Sequence, residues 1–307
     1  MNKLTVISAL ISALSATAAH AQNTVFFQQT DRAGGASVGI GALTIRQTGA
    51  NRIGSSASPS LVVGALGEFT ISQDGDDNSA DVAIYGLDSN TSGIFRAGFD
   101  GNLNHFEFKL GVPEYDLRYV NPDIRVDVVG SGNLLTNVLS NGTGTTSLIY
   151  DGKIRGDNNA VITKSNPGLG DVSLVYDISG SRNRVSIDLG NRSNARDVVA
   201  TLNGNDNDWT INSKAVGSSF YLTQTGSEIT GTIVQSGGAF PTMVMSLTKT
   251  GSGAFTVNTS ATTFRNQASI SLVALGQGSF TLNQTGVNSI YDARHVIAAG
   301  GTATINQ

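Results

Sequence analysis

The chain has 307 residues, of which 39% are hydrophobic and only 14% charged, with a net charge of −4 and a pI near 5.3. No basic stripe suited to nucleic acid follows from that balance, and the absence of cysteine excludes disulfides and thiolate metal sites together. Glycine, at 37 residues, is about 12% of the chain against a typical ~7%, a composition suited to a narrow fold with many turns rather than a compact α/β enzyme.

Residues 1–21 read as a secretory signal. Lys3 supplies the basic start, an apolar stretch runs from Leu4 to Ala18, and Ala19-His20-Ala21 is a small-x-small site that predicts cleavage before Gln22. The stretch is too short to span a bilayer. Residues 22–307 are then expected to form a single exported repeat domain, held without disulfides by backbone hydrogen bonds and side-chain ladders.

Two repeated patterns follow in chain order. Glycine starts an alternating apolar run at GALTIRQ (41), GEFTISQ (67), GAFTVNT (253), GSFTLNQ (278) and GTATINQ (301). Between these, Gly-x-x-Asn recurs six times, at Gly75/Asn78, Gly101/Asn104, Gly130/Asn133, Gly156/Asn159, Gly180/Asn183 and Gly204/Asn207, with glycine intervals of 26, 29, 26, 24 and 24. Regular spacing is the signal here, because a Gly- and Asn-rich chain would scatter chance copies irregularly.

The unit is clearest over residues 67–86. Phe69 and Ile71 alternate with Thr70 and Ser72; Asp74 to Asn78 has turn chemistry; Ala80, Val82 and Ile84 alternate again. Gly75 and Asn78 are read as turn residues that tolerate positive φ, and Gly49 takes the same role earlier. Other copies keep this phase, as with Val172, Leu174, Tyr176 and Ile178 before Gly180, and Val185, Ile187 and Leu189 after Asn183. Residues 111–122, with two prolines, are expected to be an inserted loop. A strand-turn-strand unit cannot bury its own apolar face, so stacked copies are required. The predicted fold is all-β, a β-solenoid of about ten or eleven rungs of roughly 25 residues. An antiparallel outer-membrane barrel shares the alternating pattern, but aromatics are only 7% and no aromatic girdle repeats.

Gln73-x-Gly75-x-x-Asn78 followed by Ala80 resembles the curlin repeat of bacterial surface fibres, with shorter matches at Gln47-x-Gly49-x-Asn51, Gln224-x-Gly226 and Gln284-x-Gly286-x-Asn288. The resemblance implies a subunit secreted through the periplasm and an outer-membrane pore, self-associating into cross-β fibres with a nucleator subunit as partner. In the middle rungs the glutamine position holds Phe99, Val128, Ile154, Ile178 and Leu202, as in a generic β-solenoid. Alternation turns the matching glutamines inward, and a buried amide is best satisfied by stacking on its like at the strand spacing. Gln29, Gln47, Gln73, Gln224, Gln284 and Gln307 are therefore the expected ladder, with Gln29 and Gln307 placed to continue it between molecules, and the ends are expected to be the self-association surfaces.

The sequence carries no constellation expected to be catalytic, and no cofactor is implied. His105 and His295 lie in unrelated rungs. Asp151, Arg155, Asp177, Arg182 and Arg184 would serve a sugar-cleaving β-helix if they shared one face, although a solvated charged face is the simpler expectation. Asp74, Asp76 and Asn78 mimic the opening of a calcium loop, but Ser79 and Tyr85 stand where glycine and glutamate are needed.

Overall fold

The computed structural model describes residues 23–25, 28–30, 40–49, 51–55, 57, 59–63, 66–75, 78–85, 93–101, 103–110, 123–139, 147–165, 171–189, 196–213, 218–226, 228–236, 242–249, 254–261, 267–274, 278–286, 290–297 and 301–306. The expected signal at 1–21, the expected loop at 111–122, Asp76 and Gln307 lie outside them.

Among the described residues there is no helix. Strands alternate between two sheets along the chain, an 11-stranded sheet and a 14-stranded sheet. In the middle of the molecule each rung sends one strand into the first sheet, turns at the Gly-x-x-Asn corner, and sends the next strand into the second; we call these the leading and trailing sheets. Asp171–Ser179 leads and Arg184–Leu189 trails, for example. Partners lie in parallel register from 22 to 33 residues apart, as in Asn207↔Ile229 and Gln28↔Leu61. Because neighbouring strands are parallel throughout, the fold is the expected β-solenoid and not an antiparallel barrel. No helix of the described residues is long and apolar enough to cross a membrane.

The two sheets enclose one continuous core. Val172, Leu174, Tyr176 and Ile178 point inward from the leading strand while Val185, Ile187 and Leu189 meet them from the trailing one. Period-2 alternation on both strands fills that interior at every level. Phe69, Phe95, Phe106 and Phe108 cluster toward the N-terminal rungs, with Phe69 and Phe95 edge to face at 5.6 Å.

The corners show why glycine recurs. Gly180 has φ +140°, and a Cβ there would lie 1.9 Å from the carbonyl oxygen of Gly156 in the rung beneath. Its own N–H donates to the Asn203 carbonyl of the next rung at 2.9 Å. The stack thus needs glycine for close approach as well as for backbone conformation.

Two expectations are corrected. The corner asparagines do not carry the positive φ; the preceding residue does, as at Leu103, Asn158, Arg182 and Asp206. Those asparagines are selected by burial, described below. The repeats at 253, 278 and 301 also do not continue the series at 41 and 67. Ile40–Thr48 and Leu66–Asp74 are leading strands, whereas Ala254–Ala261, Gly278–Gly286 and Gly301–Asn306 are trailing ones. Strands of both sheets face the same core with the same alternation, so the pattern has the right period but is silent about the half-rung.

Candidate functional site: amide ladders and the last rungs

A column of buried asparagines runs along the corner between the sheets. Asn51, Asn78, Asn104, Asn133, Asn159, Asn183 and Asn207 are each no more than 2% exposed. The side-chain amide of Asn183 donates to the Gly180 carbonyl across its own corner at 2.8 Å, and its Oδ1 accepts from the backbone N–H of Asn159 at 3.3 Å. Asn207 repeats both contacts, bonding Gly204 at 2.7 Å and accepting from the Asn183 N–H at 3.2 Å. The same link joins Asn104 to Asn133, Asn133 to Asn159, and Asn51 to Asn78. Asn159, Asn183 and Asn207 thus each close their corner and tie it to the neighbouring rung, whereas Asn133 Nδ2 has no acceptor and makes only the inter-rung link through its Oδ1. A break appears at the Asn104 Oδ1, which has no donor. Among the described residues the column ends at Asn207, because the next corner presents Glu228, whose backbone carbonyl accepts the Asn207 N–H at 3.1 Å.

The expected glutamine ladder is only partly assembled. Gln73 donates to Gln47 Oε1 at 2.8 Å and to the Ser79 carbonyl at 3.3 Å. Gln224 occupies a leading strand where its in-register neighbours are Leu202 and Leu247, and neither end of its amide has a partner. Gln284 lies in the trailing sheet opposite Thr259, donating to the Ile290 carbonyl at 3.2 Å. Gln29 lies in a trailing strand opposite Val62, and its side chain, like Gln307, lies outside the described residues. Gln73 and Gln284 share a local role, since each donates to the residue six positions on that opens the next strand. The glutamine thus clasps a corner of either kind and does not form a single column, because the two corners belong to different edges of the core.

A second asparagine run lies on the outer face at the C-terminal rungs. Asn306 donates to Asn283 Oδ1 at 2.7 Å, and Asn283 donates to Asn258 Oδ1 at 2.8 Å. The strand Gly301–Asn306 is the last of its sheet among the described residues, and its inward position Ile305 is 39% exposed. Phe280 and Leu282 of the strand beneath it are buried.

Sequence reading missed two polar clusters. Inside the core, Asn137 donates to the Tyr150 hydroxyl at 2.9 Å and to Thr163 Oγ1 at 3.3 Å, and Thr163 bonds the Tyr176 hydroxyl at 2.5 Å. Burial holds both phenols well above their ordinary range. The rings, 5.4 Å apart, pass Gly152, where a Cβ would stand 3.0 Å from Tyr150. On the outer trailing face, Asp81, His105 and Glu107 converge, with His105 Nε2 at 3.4 Å from Asp81 Oδ1. The Asp81 carboxylate raises the proton affinity of His105 above the ordinary imidazole value, against the effect of partial burial. Only knowledge of the 26-residue register could have joined Asp81 to Glu107.

The sugar-cleaving arrangement is not assembled. Asp151, Arg155 and Asp177 lie on leading strands and Arg182 in the corner, but Arg184 opens a trailing strand and reaches Asp208 at 3.9 Å. Asp151 faces Val175 rather than Asp177 in register. His295 belongs to a leading strand and His105 to a trailing one. No known protein family, curated protein or solved structure matches the chain.

Proposed function

We infer that the chain is a structural subunit of extracellular, curli-like fibres that serve adhesion and a biofilm matrix. In this reading residues 22–307 are exported through the periplasm and an outer-membrane secretion pore, and a nucleator subunit starts head-to-tail growth at the cell surface. The observation that carries the reading is the parallel, in-register stacking of rungs tied by a buried amide column, an arrangement of cross-β kind that a second copy can extend. A parallel solenoid edge presents unpaired backbone groups, and a second copy laid in register would satisfy them. Such stacking is heterologous and does not close, so it grows filaments.

The test is fibre formation by purified mature protein. Filaments giving reflections near 4.8 Å and 10 Å are expected. Ile305→Lys, combined with a proline-containing charged cap after Gln307, should lower filament yield, whereas Val199→Lys on an outer face should not. Protein that never forms filaments at micromolar concentration, or that forms them equally well with its ends blocked, overturns the reading and leaves a monomeric surface adhesin.

A further inference from the structure

Asp81 sits at a defect in the stack. The trailing strand beneath it is interrupted: Asn51–Ile53 pairs up to Ala80, Ser60–Val63 resumes at Val82, and Asp81 faces the gap between them. The chain crossing that gap comes close, since a Cβ on Gly54 would lie 2.5 Å from the Asp81 backbone oxygen. The side chain of Asp81 is consequently only 3% exposed. Its Oδ1 has no hydrogen-bond donor, and the imidazole of His105 reaches it with Nε2 at 3.4 Å, inside ion-pair range but outside hydrogen-bond geometry. A buried carboxylate oxygen without a donor is costly unless a charge of opposite sign reaches it.

Register brings two further ligands to the same place. Glu107 is the in-register partner of Asp81, and His105 lies two residues earlier on the same face of the same strand. One ligand atom from each of the three residues lies within 4.8 Å of the others. We propose that Asp81, His105 and Glu107 bind a single divalent transition metal of the zinc class. The 3.4 Å separation of the imidazole nitrogen and the Asp81 oxygen matches the edge of about 3.4 Å in a tetrahedron with metal–ligand bonds of about 2.1 Å. One imidazole with two carboxylates favours zinc-like ions over calcium, which takes six or more oxygens. Two cations adjoin the site. Arg52 is turned to the Gly54 carbonyl at 3.0 Å, while Lys109 engages Glu107 Oε1 at 2.7 Å and competes with the metal for that carboxylate.

Tag-free mature protein, stripped with chelator, is titrated calorimetrically with zinc chloride, with calcium chloride as comparison. One zinc per chain is expected, and cobalt in its place should show the visible absorption of a tetrahedral ion. His105→Gln and Asp81→Asn should each weaken binding at least tenfold, a loss of the size that follows even from removing a ligand's supporting contact. Lys109→Met should tighten it, and His295→Gln should change nothing. His105 is partly exposed, so its variant tests the proposal even if Asp81→Asn disturbs folding; circular dichroism reports which variants keep the sheets. No stoichiometric zinc binding, binding unaltered by His105→Gln, or calcium bound as tightly as zinc would each overturn the proposal.

Discussion

At the scale of single residues, amides decide more than charges do. Each surface ion pair here is partly exposed, as in Arg184 with Asp208, and such pairs contribute little to stability. A buried corner asparagine such as Asn183, by contrast, satisfies the Gly180 carbonyl and the Asn159 N–H, and each such group left unpaired costs about 1–3 kcal/mol. The same accounting separates two glutamines of equal burial. Gln73 bonds Gln47 and the Ser79 carbonyl even though its own Oε1 has no donor, while Gln224 has no partner at either end and lies beside Leu202. Replacing Gln224 with Leu should therefore raise the unfolding free energy by about 1 kcal/mol or more, and Gln73→Leu should lower it by a similar amount, since the first removes an amide unsatisfied at both ends and the second removes two hydrogen bonds donated by Nε2. Urea denaturation of both variants measures this; a loss of stability in Gln224→Leu would mean that its amide is satisfied.

At the scale of the element, the rung and not the strand is the exchangeable unit. Val161 and Val185 are in register and 24 residues apart, with Asn159 and Asn183 at the same interval on the corner. Deleting residues 160–183 would join Asn159 to Arg184, so the shortened chain would keep each strand in its own sheet and the asparagine column unbroken. Deleting residues 172–183 alone would send Arg184–Leu189 to the leading side and place Asn207 on the wrong corner. The expected outcome is that the 24-residue deletion keeps the β circular dichroism with a modestly smaller denaturant slope, in proportion to the surface lost, while the 12-residue deletion loses cooperative unfolding. Equal stability in the two would show that rungs slip freely between sheets.

For the whole molecule, stability is a sum over neighbouring rungs, and the rungs are not alike. Between Asn104 and Asn207 the backbone ladder is reinforced by the asparagine column and by the Asn137–Thr163–Tyr176 chain in the core. Among the described residues the column does not continue past Asn207, and Ile305 in Gly301–Asn306 is 39% exposed. Hydrogen exchange of the monomer should therefore be slowest over 123–213 and faster over 242–306. If stacking covers the C-terminal strand, 301–306 should gain the most protection in filaments. Uniform protection along the monomer would contradict this gradient.

Several features were legible without the fold. Alternation in segments such as Asp171–Ser179 identified the strands, and the even recurrence of Gly-x-x-Asn identified the corners, because both depend on local geometry that repeats with the chain. The inward phase of Gln73 and Gln224 was legible for the same reason. Other features were decided only by the stacking. Leading and trailing strands face one core with one alternation, so only the assembled sheets show that Gln284 belongs to the opposite sheet from Gln73. The asparagines look like turn formers in isolation; that they are buried and bonded from rung to rung depends on register across 24 to 29 residues. The union of Asp81, His105 and Glu107 has the same origin, since it needs the parallel pairing of two strands and an interruption in the strand beneath them. Period and phase are properties of the chain, and the pairing of one rung with the next is a property of the packed molecule.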